Sequence, residues 1–267
     1  MSEFWERETW GIPERIVCLT EEFTEILYLL GEEDRIVGIS AYTVRPPEAK
    51  RDKEVVSAFI GGSVKKIKAL EPDLVLGFSD IQAQLAHDLI KENLSVLIFN
   101  QRSLGEILDV IVQVGALVGR RRSAEELARG YAERLREVAR ESAGEGRRRV
   151  YFEEWDEPRI TAIQWVGELI EIAGGENVFA DRSCGKLAKE RFVDDEEIQA
   201  ADPEVIIGCW CGKEVDLQSI RDRPGYGELQ AVRQGKVFEM DPAIILQPGP
   251  AALTDGLDKL VELISGE

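Results

Sequence analysis

Short apolar runs rich in β-branched residues recur along the chain, separated by amphipathic stretches. In the first half they are Arg15–Leu19 (RIVCL), Arg35–Ile39 (RIVGI), Asp73–Phe78 (DLVLGF) and Leu94–Phe99 (LSVLIF). None alternates apolar with polar positions. A continuous apolar run suits a strand covered on both faces, as in a parallel sheet. Between the runs the period changes to that of a helix. Thr20 is placed to open one, with Glu21 and Glu22 in the first turn, where negative charge suits the helix dipole, and Gly31 closes it. Val64–Leu70 and Ile81–Lys91 read as further helices, and Tyr42–Pro47 as a loop broken by proline. The second half repeats the pattern. Arg149–Phe152, Val205–Gly208 and Lys236–Glu239 read as strands; Trp165–Ala173, Asp194–Ala200 and Ala251–Ile264 read as helices. Strands alternating with helices predict an α/β fold with parallel sheets covered on both faces.

The stretch from Ser103 to Ser142 divides these halves. Ser103 with Glu106, and Ser123 with Glu126, have the capping-box spacing. Leu104, Ile107, Leu108, Ile111 and Val118 make one apolar stripe; Leu127, Tyr131, Leu135 and Val138 continue another. The opposite face carries Glu125, Arg129, Glu133, Arg136 and Arg140, opposite charges four apart at Glu125–Arg129 and Arg129–Glu133. The two halves also echo each other. Glu25–Gly38 (EILYLLGEEDRIVG) parallels Glu168–Phe179 (ELIEIAGGENVF), and Lys68–Phe78 (KALEPDLVLGF) parallels Gln199–Trp210 (QAADPEVIIGCW). The expected organisation is an N-terminal arm over 1–14, an α/β lobe over 15–120, a connecting helix over 121–145 and a second α/β lobe over 146–267.

Charge narrows the partners. With 267 residues and a net charge of −18, the chain lacks the Lys/Arg excess that nucleic acid or an anionic membrane wants. No apolar run is long enough to span a bilayer, so membrane insertion is not expected. The beginning, MSEFWERETW, has no basic segment followed by an apolar one, which predicts a cytoplasmic protein as the sequence stands and a periplasmic one if an export signal has been removed. Cys18, Cys184, Cys209 and Cys211 match no zinc spacing, and reduced thiols are the expectation.

In open parallel sheets ligands bind beyond the carboxyl ends of strands. The residues there form the candidate site. They are Tyr42 and Arg45, Phe78 and Gln82, and Gln101 in the first half, with Glu154 and Trp155, Trp210 and Cys211, and Gln247 in the second; Phe59 and Trp165 lie in nearby loop or helix-start positions. This aromatic and amide-rich set suits a large, partly apolar ligand held by stacking and a few polar contacts. Other chemistry finds less support. A carboxylate pair from Glu154 and Asp156 would need a facing partner, a nucleophilic Cys211 a basic one, and Gly61-Gly62-Ser63 matches no phosphate-binding fingerprint.

Taken together, the motifs RIVCLTEEFTEILYLLG, RIVGIS, PPEA, ALEPDLVL, ELIEIAGGENVF and AADPEVII resemble the helical-backbone substrate-binding proteins that serve ABC importers for cobalamin, ferric siderophores and haem. YFEEWD, WVGELIEIAGG, CWCGK and LQPGPAALTDGL look most similar to the cobalamin-binding branch. The resemblance spans roughly residues 15–265. It implies two Rossmann-like lobes with parallel sheets, joined by one long helix, with a ligand cleft between them. Tyr42, Phe59 and Phe78 fall where the family has cleft aromatics, two of them tryptophans there; a further cleft tryptophan falls near Glu190 and is absent here. The family also implies an ABC permease as partner, docked through an acidic residue on each lobe. Glu196 fills one such position, whereas Lys65 fills the other, which weighs against that partner. The expectation is thus a non-catalytic protein without resident cofactor or metal, binding cobalamin or a related corrinoid. Binding of ferric siderophore, haem or another chelate, and enzymatic use of Glu154, Asp156 or Cys211, are the alternatives.

Overall fold

A computed structural model describes residues 11–58, 60–144 and 146–266. The first half builds β1 (Ile16–Cys18), α1 (Glu21–Leu29), β2 (Ile36–Ser40), α2 (Ala49–Asp52), β3 (Glu54–Ser57), α3 (Val64–Ala69), β4 (Leu74–Phe78), α4 (Ala83–Lys91) and β5 (Val96–Phe99). The strands form one sheet in the order β3-β2-β1-β4-β5, parallel throughout. The order reverses between β1 and β4, so their carboxyl ends flank the switch point. Val17, Leu19, Val56, Ile67, Val75, Leu85 and Leu89 form the core on one side of this sheet.

Two helices follow, α5 (Leu104–Leu117) and α6 (Arg121–Glu141). The capping box at the start of α5 is formed. Glu106 accepts from the backbone N–H groups of Arg102 and Ser103 at 2.7 and 3.0 Å, and the Glu106 N–H donates to Ser103 Oγ at 3.2 Å. The second expected box is not. Ser123 lies inside α6, and Glu126 pairs with Arg122 instead, 3.2 Å away. The helices are separated at Gly119, whose φ of +75° is a left-handed conformation suited to glycine. Glu32 then anchors the junction, accepting from Arg120 Nε and from Arg35 Nε.

The second half builds β6 (Arg148–Asp156), β7 (Arg159–Thr161), α7 (Gln164–Ile172), β8 (Gly175–Asn177), α8 (Ala180–Ser183), α9 (Asp195–Ala201), β9 (Val205–Gly208), α10 (Leu217–Arg221), α11 (Gln230–Arg233), β10 (Val237–Glu239), α12 (Pro242–Ile245) and α13 (Leu257–Ser265). Its sheet runs β10-β9-β6-β7. The first residues of β6 pair in parallel with β8, and its last residues pair antiparallel with β7. The strand expected over Arg149–Phe152 is therefore longer, because it carries two neighbours in succession. Tyr151, Ile198, Ile206, Trp210, Ile220, Tyr226 and Val237 are among the core of this lobe. By contacts the chain divides into two units. One is the chain up to Gln101 with Leu108–Arg129, the other Arg102–Ile107 with Gly130 onward, so both α5 and α6 are shared between them.

Candidate functional site

In the first lobe the strand ends carry a mixture of exposed apolar and buried polar groups. Tyr42 is 45% exposed, just beyond β2. Arg45 donates from Nε to Glu25 Oε1 at 2.9 Å. Phe78 ends β4 and is buried; Gln101, beyond β5, is buried as well. Phe59 lies outside the described residues. Gln82 has a different role from the one expected. It is fully buried, accepts from the Phe78 N–H at 3.0 Å and donates Nε2 to the Leu19 carbonyl at 3.3 Å. Its amide thus ties β1 to β4 at the switch point. A Cβ on Gly77 would come within 2.7 Å of Gln82 Oε1, so glycine is what admits this clamp. Ser79 follows in the left-handed region, φ +59°, and its hydroxyl accepts from the Ile81 N–H.

Next to this clamp, the first turn of α1 holds Glu21 and Glu22, with Glu25 one turn on, all buried. Burial raises the Glu22 carboxyl to about 8, helped by the charges of Glu21 and then Glu25. Burial also raises Glu21, to about 7. The Glu22 backbone N–H and the Thr20 side chain act on the Glu22 carboxyl in the opposite sense, more weakly than burial.

In the second lobe the carboxyl ends of β6 and β9 carry the other expected residues. Glu154 is held by Arg191, with contacts of 2.5 and 3.0 Å. Asp156 is held by Lys213 at 2.7 and 2.8 Å. The same ammonium lies 4.5 Å from the Trp155 ring centroid and 4.6 Å from that of Trp210, so an aromatic pair and a carboxylate share one cation. Trp155 is half-buried, and its Nε1 donates to the Glu157 carbonyl. Trp210 and Trp165 are buried, at 3% and 2% exposure, and each spends its N–H inside the fold: Trp210 on Glu153, Trp165 on the Ile245 carbonyl. Both pack as core, the alternative their size always allowed. Cys211 and Gln247 are half-buried. Among the described residues no three His, Cys, Asp or Glu side chains are placed to hold a metal ion.

Glu153 was not singled out, yet it is the most elaborately bound carboxylate here. It is fully buried, takes both Arg223 nitrogens at 2.5 and 2.8 Å, and accepts from Tyr151 Oη and Trp210 Nε1 at 2.9 and 3.0 Å. Such saturation marks a structural centre. Exposed apolar residues are the larger omission. Val44, Ile60 and Ile81 stand beyond β2, β3 and β4, at 44%, 65% and 37% exposure. Leu187 and Phe192, at 40% and 38%, lie on the segment whose Phe192 bridges Ile160 beside Trp155. The signal for them was present, since loops that need only be polar seldom carry so many large apolar side chains.

The chain belongs to the periplasmic binding protein family, whose model matches residues 16–244. It is 27% identical over 263 residues to an uncharacterized ABC transporter substrate-binding lipoprotein of Bacillus subtilis, covering 94% of this chain and 80% of that one. It is 26% identical over 245 residues to a vitamin B12-binding protein of Vibrio cholerae, covering 90% and 85%. A periplasmic heme binding protein from Pseudomonas aeruginosa shares the fold, with a TM-score of 0.80 at 20% identity, covering 96% of this chain and 94% of that one. Among the described residues no helix is long and apolar enough to cross a membrane.

Proposed function

We propose that this chain binds a large, flat metal chelate, a corrinoid first, and releases it unchanged. The observation that carries the reading is the position of its exposed apolar side chains. Of the eight large hydrophobic residues most exposed among the described ones, Leu29 and Ile90 lie on helices, Tyr42, Val44, Ile60 and Ile81 lie beyond β2, β3 and β4, and Leu187 and Phe192 lie on the α8–α9 connection that bridges to Ile160. On each lobe such residues offer an apolar face to a macrocycle, while Arg45 and Gln101 on the first and Trp155, Cys211 and Gln247 on the second supply edges and polar contacts. The family supports a binding role, and similarity to a vitamin B12-binding protein supports a corrinoid as the first reading. An ABC permease is the partner such a protein would deliver to, as the Bacillus relative's description suggests.

Haem or an iron chelate is the second reading, favoured by the fold shared with a heme binding protein. His87 is the one histidine. It lies on α4 with a half-exposed ring beside Asp88, 3.1 Å away, and axial ligation by histidine would fall to it alone. Enzymatic use of Glu154 and Asp156 is disfavoured because both are spent on cations. Absorbance spectra of the purified protein, followed by calorimetric titration with cobalamin, cobinamide and haem, test the proposal. Binding of cobalamin or cobinamide without turnover is expected. A haem-only response moves the assignment to the second reading, and silence with all three ends both.

A further inference from the structure

At the strand ends of the second lobe, a lysine sits where a solvated side chain would be expected to move freely. β6 ends on Trp155 and Asp156, and the loop beyond β9 brings Lys213 to both. The Lys213 ammonium donates to the two oxygens of Asp156 at 2.7 and 2.8 Å. It stands 4.5 Å from the ring centroid of Trp155 and 4.6 Å from that of Trp210. A surface lysine ordinarily keeps its ammonium in water and its long stem free to rotate. Three groups hold this one, although its side chain is 41% exposed.

The two rings differ in what else fixes them. Trp210 belongs to the core of the lobe and donates its N–H to the buried Glu153 at 3.0 Å. Trp155 is half-buried and only packs against that core. It follows a register shift of β6 on β7, the kind of bulge that re-aims a side chain. Its N–H goes to the Glu157 carbonyl two residues on, a local tether. Lys213 therefore couples the more exposed ring to the fixed one. What Trp155 faces gives the coupling a purpose. Ile160 stands directly opposite it on β7, and Phe192, 38% exposed, bridges to Ile160. Directly opposed residues of an antiparallel pair share a face, so Trp155, Ile160 and Phe192 make one apolar row.

We propose that Lys213 is a positioning residue: held by Asp156, its ammonium fixes Trp155 at the end of this row as a rigid surface for the ligand. This rests on the reading that a flat chelate binds, and it has the ligand touch the ring, not the ammonium. Calorimetric titration of the full chain with dicyanocobinamide, cyanocobalamin and haem tests it. Lys213→Met should weaken every chelate the parent binds by roughly three- to tenfold, the scale of one cation–ring contact. Lys213→Arg keeps a charge that pairs with carboxylate and stacks on rings, and should stay within about twofold of the parent. Trp155→Ala should weaken binding at least as much as Lys213→Met, and adding Lys213→Met to it should cost no more than about twofold further. The Trp155 emission, taken as the difference between parent and Trp155→Phe, should shift in Lys213→Met without any ligand. Additive losses in the double variant overturn the proposal, as does full affinity in Lys213→Met. A loss confined to cyanocobalamin, which carries a phosphodiester that dicyanocobinamide lacks, overturns it too, because the ammonium would then touch the ligand. Should Lys213→Met not fold, Asp156→Asn, which leaves the ammonium unheld, takes its place in the same cycle. Silence of the parent with all three chelates overturns the chelate reading and this proposal with it, whereas binding with additive losses overturns this proposal alone.

Discussion

Glu22 shows how much one side chain can set. Its carboxyl is raised to about 8 first by burial, then by Glu21 and Glu25 on the same helix; Lys50 acts on the neighbouring Glu21 in the opposite sense, and the Cys18 thiol on β1, itself raised to about 12 by burial, adds no charge near neutrality. The folded chain therefore holds a proton that the unfolded chain releases near 4.5. Unfolding then releases that proton, so the contribution of Glu22 to stability is most favourable below about 4.5, falls as pH rises to about 8, and levels off above it. Glu22→Gln removes the titrating group at almost constant shape. Thermal melts should show the variant close to the parent at pH 4.5 and more stable at pH 8, by on the order of a few kcal/mol. An unchanged pH profile would show that Glu22 is solvated. At this scale the sequence was a partial guide. Residue type and strand-end position singled out Tyr42, Arg45 and Trp155, which stand beyond or at the ends of strands, but they could not tell Gln82 from a ligand contact. Its role as a clamp depends on backbone groups of two strands, Leu19 and Phe78, that lie far apart in the chain. Trp165 and Trp210 failed in the same way, since a buried indole N–H finds its partner only in three dimensions.

Elements were legible wherever the pattern was strong. The apolar runs of β1, β2, β4, β5 and β9 and the long amphipathic helices all stand where periodicity put them. Three short strands did not announce themselves: β3 (EVVS), β7 (RIT) and β8 (GEN), which are at most half apolar and hold their place by pairing rather than by burial. The spine was read as the long connector of two lobes, but Gly119 turns the chain between α5 and α6. Close helix packing enforces that turn: a Cβ on Gly115 would stand 2.2 Å from Ala124 Cβ. Gly115→Ala should therefore lower stability by about 1–3 kcal/mol in denaturant titrations, although alanine is the better helix former. Ala124→Gly in the same chain should return part of the loss. If Gly115→Ala is stabilising, the two helices pack more loosely than this.

For the whole molecule, the echo between halves did predict two α/β lobes, because a repeated helix, Pro-Asp/Glu and buried strand is a pattern in the chain itself. Which residues each lobe keeps for itself was less visible. The unit containing β1 to β5 also takes Leu108–Arg129, where Arg120 meets the buried Glu32. A fragment ending at Gln101 should accordingly lack a cooperative melt by circular dichroism, while one ending at Arg129 should gain it. Cooperative unfolding of the shorter fragment would show that the first lobe is complete without α5 and α6. The chain passes from one unit to the other three times, at Gln101, at Ile107 and at Arg129. Relatives of this protein therefore cannot trade lobes by a single genetic crossover. An exchanged cassette would carry part of each helix away from the residues it was matched to, so the two lobes are expected to diverge together rather than be shuffled.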